Sequence, residues 1–253
     1  IIPGLDFSEQ VFQFYVLNSK ARPLKPTQLR RIVSTSLTNE EINILYQRFK
    51  EAGVEADQAR WTYELDTSPT SPFRTRVDFG FGIKGAVIKE NVADQLIRSF
   101  MLMPRNKYGA LIDPLGSSWS DPQQRLERFF AFWNAVKTQY PVAWREAEER
   151  ADRGQLAQLF MKVSLLTLQR FLLDRFVTAL PFRRGSEPPL ANETEIAQMV
   201  SSVLENLPQN FFRKEWKIKQ IDTSEGRKLL YDAMAKVWNN QGRNIGNTRL
   251  FRP

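Results

Sequence analysis

The chain contains neither cysteine nor histidine. Without thiols there are no disulfides and no thiolate metal centres; without imidazole, the commonest general base and a principal zinc ligand are missing. Zinc enzymes, histidine-dependent triads and HNH-type nucleases therefore lie outside what this chain can build alone, and no metal site is expected. No apolar run reaches the roughly 18–20 residues that a membrane span needs. The opening IIPGLDFSEQ has no basic flank leading into a hydrophobic signal segment. No membrane partner and a cytoplasmic location are the resulting expectations. Internal repeats and low-complexity tracts are also missing, which removes solenoids and propellers.

What is present is enough for a sizeable core: 253 residues, 42% hydrophobic, with 18 Phe and 6 Trp. Lys and Arg number 36 against 28 Asp and Glu, giving a net charge of +8 and a pI near 9.8. Such an excess favours polyanionic partners such as nucleic acid or nucleotide phosphates, or serves solubility alone.

Along the chain, Ile1-Ile2 before Pro3-Gly4 reads as the end of a buried strand leaving a sheet, so a further segment is expected upstream. Asp6 and Glu9 have the spacing of a helix cap, predicting a helix over 7–17 that is apolar around most of its circumference. Helices are also predicted from Thr27, with Leu29, Ile32 and Val33, and from Thr38 to Gly53. Trp61–Leu65 and Thr75–Phe79 alternate apolar with polar residues around SPTSPF, predicting short strands or a hairpin. Gly80, Gly82 and Gly85 match no phosphate-loop spacing and read as a strand turn. A helix bearing Val92, Leu96, Ile97 and Phe100 stops at Pro104. Residues 104–120 form a turn-rich linker. Helices follow from Asp121-Pro122, over 155–180, over 193–207 and over 223–239.

The fold class expected is mainly α with a small β element (α+β). The divisions expected are a first unit over 1–103, the linker over 104–120, a helical domain over 121–240 and a basic tail over 241–253.

Two constellations stand out. Asn18, Lys20 and Arg22 follow the first apolar helix, with Lys25, Arg30 and Arg31 beyond; an amide and several cations at a helix junction can hold phosphates. Asn18 as a plain helix cap with solvated cations is the competing reading. The second runs Arg213-Lys214-Glu215-Trp216-Lys217-Ile218-Lys219, after Phe211 and Phe212. Cations interleaved with aromatics suit phosphate contact and base stacking. The same pattern also describes a segment whose Phe212, Trp216 and Ile218 are core while the lysines reach solvent. The tail cations Arg243, Arg249 and Arg252 read either as an extension of such a surface or as a disordered end. The acidic run Glu146, Glu148, Glu149 and Asp152, set among arginines, reads as a salt-bridged helix face, and no catalytic acid can be picked from linear order.

The stretch IIPGLDFSEQVFQFYVLNSKARPLKPTQL resembles the third box of the ParB/sulfiredoxin-like superfamily. It is most similar to the part of DGQHR-domain proteins that follows their naming motif, and SPTSPFRTRVDF resembles their Ser-Pro-Phe segment. The resemblance covers roughly the first 90 residues and implies the end of a ParB/sulfiredoxin-like domain followed by a helical domain. It also implies nucleotide or phosphate binding at Asn18 and Arg22, with a nucleoside triphosphate as the ligand class. The motif Asp-Gly-Gln-His-Arg itself does not occur in a chain that lacks histidine. The function expected is thus DNA-associated regulation or defence through phosphate binding, incomplete for catalysis in this chain, with a protein partner as a further expectation. The alternatives are an NTPase or nuclease whose motif-bearing half is missing, and a protein-interaction scaffold.

Overall fold

A computed structural model describes residues 9–13, 44, 48, 57–80, 82–103, 107–112, 121–182, 187–217, 221–243 and 245–251. Residues 9–13 are helical, within the predicted first helix, and so are Ile44 and Arg48, within the helix predicted from Thr38. The remainder of those two helices, the helix predicted from Thr27, and Asn18, Lys20, Arg22, Lys25, Arg30, Arg31, Ile218, Lys219 and Arg252 lie outside the described residues.

The architecture is mainly helical with a small two-stranded sheet. Helix α1 spans Asp57–Thr67, strands β1 and β2 are Val77–Asp78 and Ile88–Lys89, and α2 runs over Glu90–Met101. Helices α3 (Pro122–Gln139) and α4 (Pro141–Asp152) follow almost without a break. Helix α5 (Lys162–Ala179) is the central element, α6 is Glu193–Leu204, α7 is the single turn Asn210–Arg213, and α8 is Ser224–Asn239.

Helix starts are written in local chemistry. Asp121 accepts from the Gln123 amide at 2.9 Å with Pro122 in the first turn, Asn192 accepts from Glu195 at 2.9 Å, and Thr223 accepts from Gly226 at 3.0 Å. Each side-chain oxygen satisfies an amide that has no intrahelical acceptor. Helix α4 is capped from a distance: Gln209 Oε1 accepts from the amides of Val142 and Ala143 at 3.0 and 3.1 Å.

Two sequence expectations are corrected. Trp61–Leu65 is part of a helix, not a strand: Thr62 and Leu65 are buried, and with Trp61 packed beside them the inward face has helical spacing. The sheet is parallel, pairing Val77 with Ile88 and Asp78 with Lys89, and is not a hairpin. Gly80, Gly82 and Gly85 carry φ of 84°, 67° and 92°, and these left-handed residues coil the chain round to run in its original direction. A Cβ on Gly85 would stand 3.1 Å from Arg76 Nη1 and 3.2 Å from Asp152 Oδ1, the ion pair that ties this loop to α4.

The core is continuous across the 104–120 stretch. Phe73 stacks edge-on against Trp133 at 5.2 Å and lies 5.4 Å from Trp144, which meets Phe160 at 5.3 Å; Phe100 meets Phe129 at 5.4 Å and Phe132 at 5.7 Å. One polar residue sits among these rings. Gln169 on α5 accepts from Trp133 Nε1 at 3.1 Å and donates to the Leu96 carbonyl at 3.0 Å and the Ser99 hydroxyl at 2.7 Å, so its amide is satisfied on both sides. No helix among the described residues is long and apolar enough to cross a membrane.

Candidate nucleic-acid interface

The segment after α6 sorts its residues by polarity. Phe211 and Phe212 turn inward from α7 and touch at 5.2 Å, Tyr140 meets Phe212 at 5.8 Å, and Trp216 returns to lie 6.4 Å from both phenylalanines. Trp216 is 8% exposed and its indole N–H donates to the Phe211 carbonyl at 3.2 Å. The base-stacking role expected for Trp216 is therefore not accommodated: its ring is part of the core and its donor is used. Lys214 and Lys217 remain exposed on the same segment.

Arg213 is held differently. Its Nε and Nη2 donate to the two carboxylate oxygens of Glu146 at 2.8 and 2.6 Å, and its Nη1 donates to Asn210 at 3.1 Å. The Arg213 hydrogen bonds hold the Glu146 carboxyl below its usual range, and the carboxylate in turn raises the guanidinium. This bidentate pair fastens α7 to α4, so a phosphate that sought the same Nε/Nη2 fork of Arg213 would have to displace Glu146.

The end of the chain, expected as a basic tail, docks on this segment. The Lys217 amide donates to the Leu250 carbonyl at 2.8 Å, Leu250 is fully buried, and Phe251 meets Phe211 at 5.6 Å with the rings perpendicular. Gly242 sits against Pro208 where an added Cβ would approach to 3.2 Å. Arg249 is thereby carried beside Lys217, and Arg243 stays exposed on the preceding turn. Within 214–217 the opposing charge is Glu215, 3.8 Å from Lys217 Nζ. Lys214, Lys217 and Arg249 are thus exposed on two segments that one backbone hydrogen bond joins.

A second polar cluster had almost no sequence signal. Asp174 on α5 accepts from Lys107 Nζ at 2.5 Å, Tyr108 at 2.8 Å and Tyr231 at 3.0 Å, and Arg170 stands 3.5 Å away. Burial pushes the Asp174 carboxyl up, but the bonds from Lys107, Tyr108 and Tyr231 outweigh it and hold the group below its ordinary value. Burial and the same carboxylate raise both tyrosine hydroxyls. Arg175 lies over Trp238 at 4.2 Å and Phe171 at 4.9 Å, an aromatic shelf for a guanidinium. Only the Arg170–Asp174 spacing of one helical turn is visible in the sequence; Tyr108 and Tyr231 come from 66 and 57 residues away. The tyrosines lock the loop before α3 and helix α8 onto α5.

Of the residues singled out from the sequence, Arg213, Lys214, Trp216 and Lys217 lie on one segment, and Arg249 precedes the residue whose carbonyl bonds it. The acidic run is the expected helix face: Glu146 pairs with Arg213, Glu148 with Lys137 at 2.8 Å, Glu149 with Arg145 at 3.8 Å and Asp152 with Arg76. No family model matches the chain, and no curated protein or solved structure matches it.

Proposed function

We propose that the protein binds nucleic-acid phosphates and acts in DNA-associated regulation or defence, as the DGQHR resemblance implies. What supports this reading is that Lys214, Lys217 and Arg249 are all exposed on two segments joined by the Lys217–Leu250 backbone bond. Ammonium and guanidinium groups on a rigid backbone neutralise phosphates and release counterions without reading sequence. Asn18, Lys20 and Arg22 are proposed as a separate phosphate or nucleotide wall, with a nucleoside triphosphate as its ligand class. The rest of the helical body would present the surface for a protein partner.

The test is fluorescence anisotropy of labelled duplex DNA between about 50 and 200 mM salt. Binding should weaken linearly in log–log form. Replacing Lys214, Lys217 and Arg249 together by Gln should lower the slope by about 0.9 for each phosphate that is no longer neutralised. Trp216→Phe should keep the affinity, because the ring is not on the surface. An unchanged slope in the triple variant, or no binding by the parent at the lowest salt, would remove the proposal.

A further inference from the structure

Helices α5 and α8 meet along a seam on which guanidinium groups lie over aromatic rings. Arg170 stands 5.3 Å from the centre of the Tyr231 ring, and Arg175 lies 4.2 Å from that of Trp238 and 4.9 Å from that of Phe171. The rings are themselves held in place. The Trp238 indole donates to the Val203 carbonyl at 3.0 Å, and Phe171 meets Tyr231 edge-on at 5.5 Å. A guanidinium stacked on a fixed ring has little freedom left to lose when it takes an anion.

Arg175 lacks what its neighbours have. Arg170 reaches Asp174 at 3.5 Å and Lys107 reaches it at 2.5 Å, whereas Arg175 pairs with no carboxylate among the described residues. Its side chain is half-buried, and its Nε is shut off from solvent with no acceptor. Aromatic faces attract the charge but accept no hydrogen bond in the guanidinium plane, so this donor stays unmatched in a place where that is costly. Asp174 cannot supply the acceptor, since it already takes Lys107, Tyr108 and Tyr231. Burial and Asp174 raise the Tyr231 hydroxyl, and Arg175 and Arg170 both act against them, so the two guanidinium groups converge on that hydroxyl. Lys107, Arg170 and Arg175 are thus matched by one paired carboxylate, which leaves two positive charges over.

We infer that this seam binds a doubly charged phosphate group, with Arg175 and Arg170 donating to its oxygens. The free ion and the end of a phosphate monoester share this chemistry. A monoester carries about 1.5 to 2 negative charges at neutral pH, which matches the two positive charges left over, whereas each phosphodiester of a DNA strand brings one. Arg175 supplies the unmatched donor and Arg170 a second guanidinium beside it. The site stands apart from Lys214, Lys217 and Arg249 and does not rest on DNA binding.

Isothermal titration calorimetry at low salt and about pH 8, above the second phosphate pKa near 6, tests this with inorganic phosphate, phenyl phosphate and the singly charged diester dimethyl phosphate. A dianion should saturate one site per chain and bind at least tenfold tighter than dimethyl phosphate. Comparable affinities for inorganic and phenyl phosphate assign the site to the free ion; tighter phenyl phosphate assigns it to a monoester. Arg175→Met, which keeps an apolar side chain over Trp238, should weaken the dianion at least tenfold. Arg170→Gln should weaken it at least threefold, and because that side chain is 67% exposed this variant keeps the fold and carries the test if Arg175→Met does not. Replacing Lys214, Lys217 and Arg249 together by Gln should leave the affinity as in the parent. The inference is overturned by absence of a saturable single site for either dianion, by dimethyl phosphate binding as tightly, by a folded Arg175→Met or Arg170→Gln variant that binds as the parent does, or by loss of binding in the triple variant.

Discussion

Replacing Gly226 by Ala is a severe test of the packing around α8. In most helix interiors this change is favourable by about 1 kcal/mol, because Ala loses less backbone entropy on folding. Here the added Cβ would lie 2.0 Å from the Ile221 carbonyl oxygen, 2.6 Å from its carbon and 2.8 Å from its Cα. Ordinary contacts between such atoms are about 3.5 Å or more, so a backbone segment must retreat by over an ångström, and no rotamer change can relieve it. That retreat also pulls on the Gly226 amide, which donates to Thr223 Oγ1 at 3.0 Å, and on buried Ile221. Overpacking of this kind costs about 1–3 kcal/mol, and backbone displacement places it at the upper end. Allowing for the propensity gain, we expect a net loss of about 1–3 kcal/mol. That is a fall in melting temperature of roughly 2–12 °C at about 2–4 °C per kcal/mol for a chain of this size. Thermal and urea denaturation followed by circular dichroism measure it. Gly246→Ala is the internal control: its Cβ would meet nothing within 4 Å, so its stability should stay within about 0.5 kcal/mol of the parent. A Gly226→Ala variant as stable as the parent, beside a neutral control, would refute the close approach of α8 to residue 221.

Gln169→Leu should destabilise by about 1–3 kcal/mol in urea denaturation, because it strands the Trp133 N–H in the core, while the Ser99 hydroxyl keeps its 2.9 Å bond to the Leu96 carbonyl. Asp174→Asn should cost about 1–2 kcal/mol at neutral pH, after allowing for the partial exposure of the cluster. Since the folded-state carboxyl is held below its ordinary value, its contribution is present above the unfolded pKa near 4 and is lost as pH falls through the folded value. The stability gap between parent and Asp174→Asn should therefore close below about pH 4, as urea melts at stepped pH would record.

Helix starts are the most legible part of the fold. Asp121, Asn192 and Thr223 are short polar side chains placed before apolar periodic stretches, and a cap depends only on neighbours a few residues away. The strand expected over Trp61–Leu65 is a helix because five residues cannot separate alternation from one helical turn: Trp61 and Leu65 share a face in either conformation. The parallel pairing of Val77 with Ile88 is hidden because the direction of return is set by three left-handed glycines, whose φ values no hydrophobic pattern encodes. The basic segment admits two readings in sequence, and the packing divides it between them: Trp216 goes to the core, while Lys214 and Lys217 go to the surface. Sequence offers Arg249 to that surface only as one of three tail cations, since its place depends on one long-range backbone bond. The Asp174 cluster is invisible for the same reason, its tyrosines being brought from distant segments by tertiary packing alone.

The aromatic chain from Phe73 through Trp133 and Trp144 also has an optical consequence. The two indoles lie 6.5 Å apart and are both fully buried. At that separation an excitation absorbed by either is shared with the other, and in so dry a setting their emission is shifted to the blue. Phe73 closes this pair off from the side of the first 103 residues, whereas Phe160 closes it from the side of α5. Two of the six tryptophans therefore share one packed seam: loosening the packing on either side admits water to the same pair of emitters.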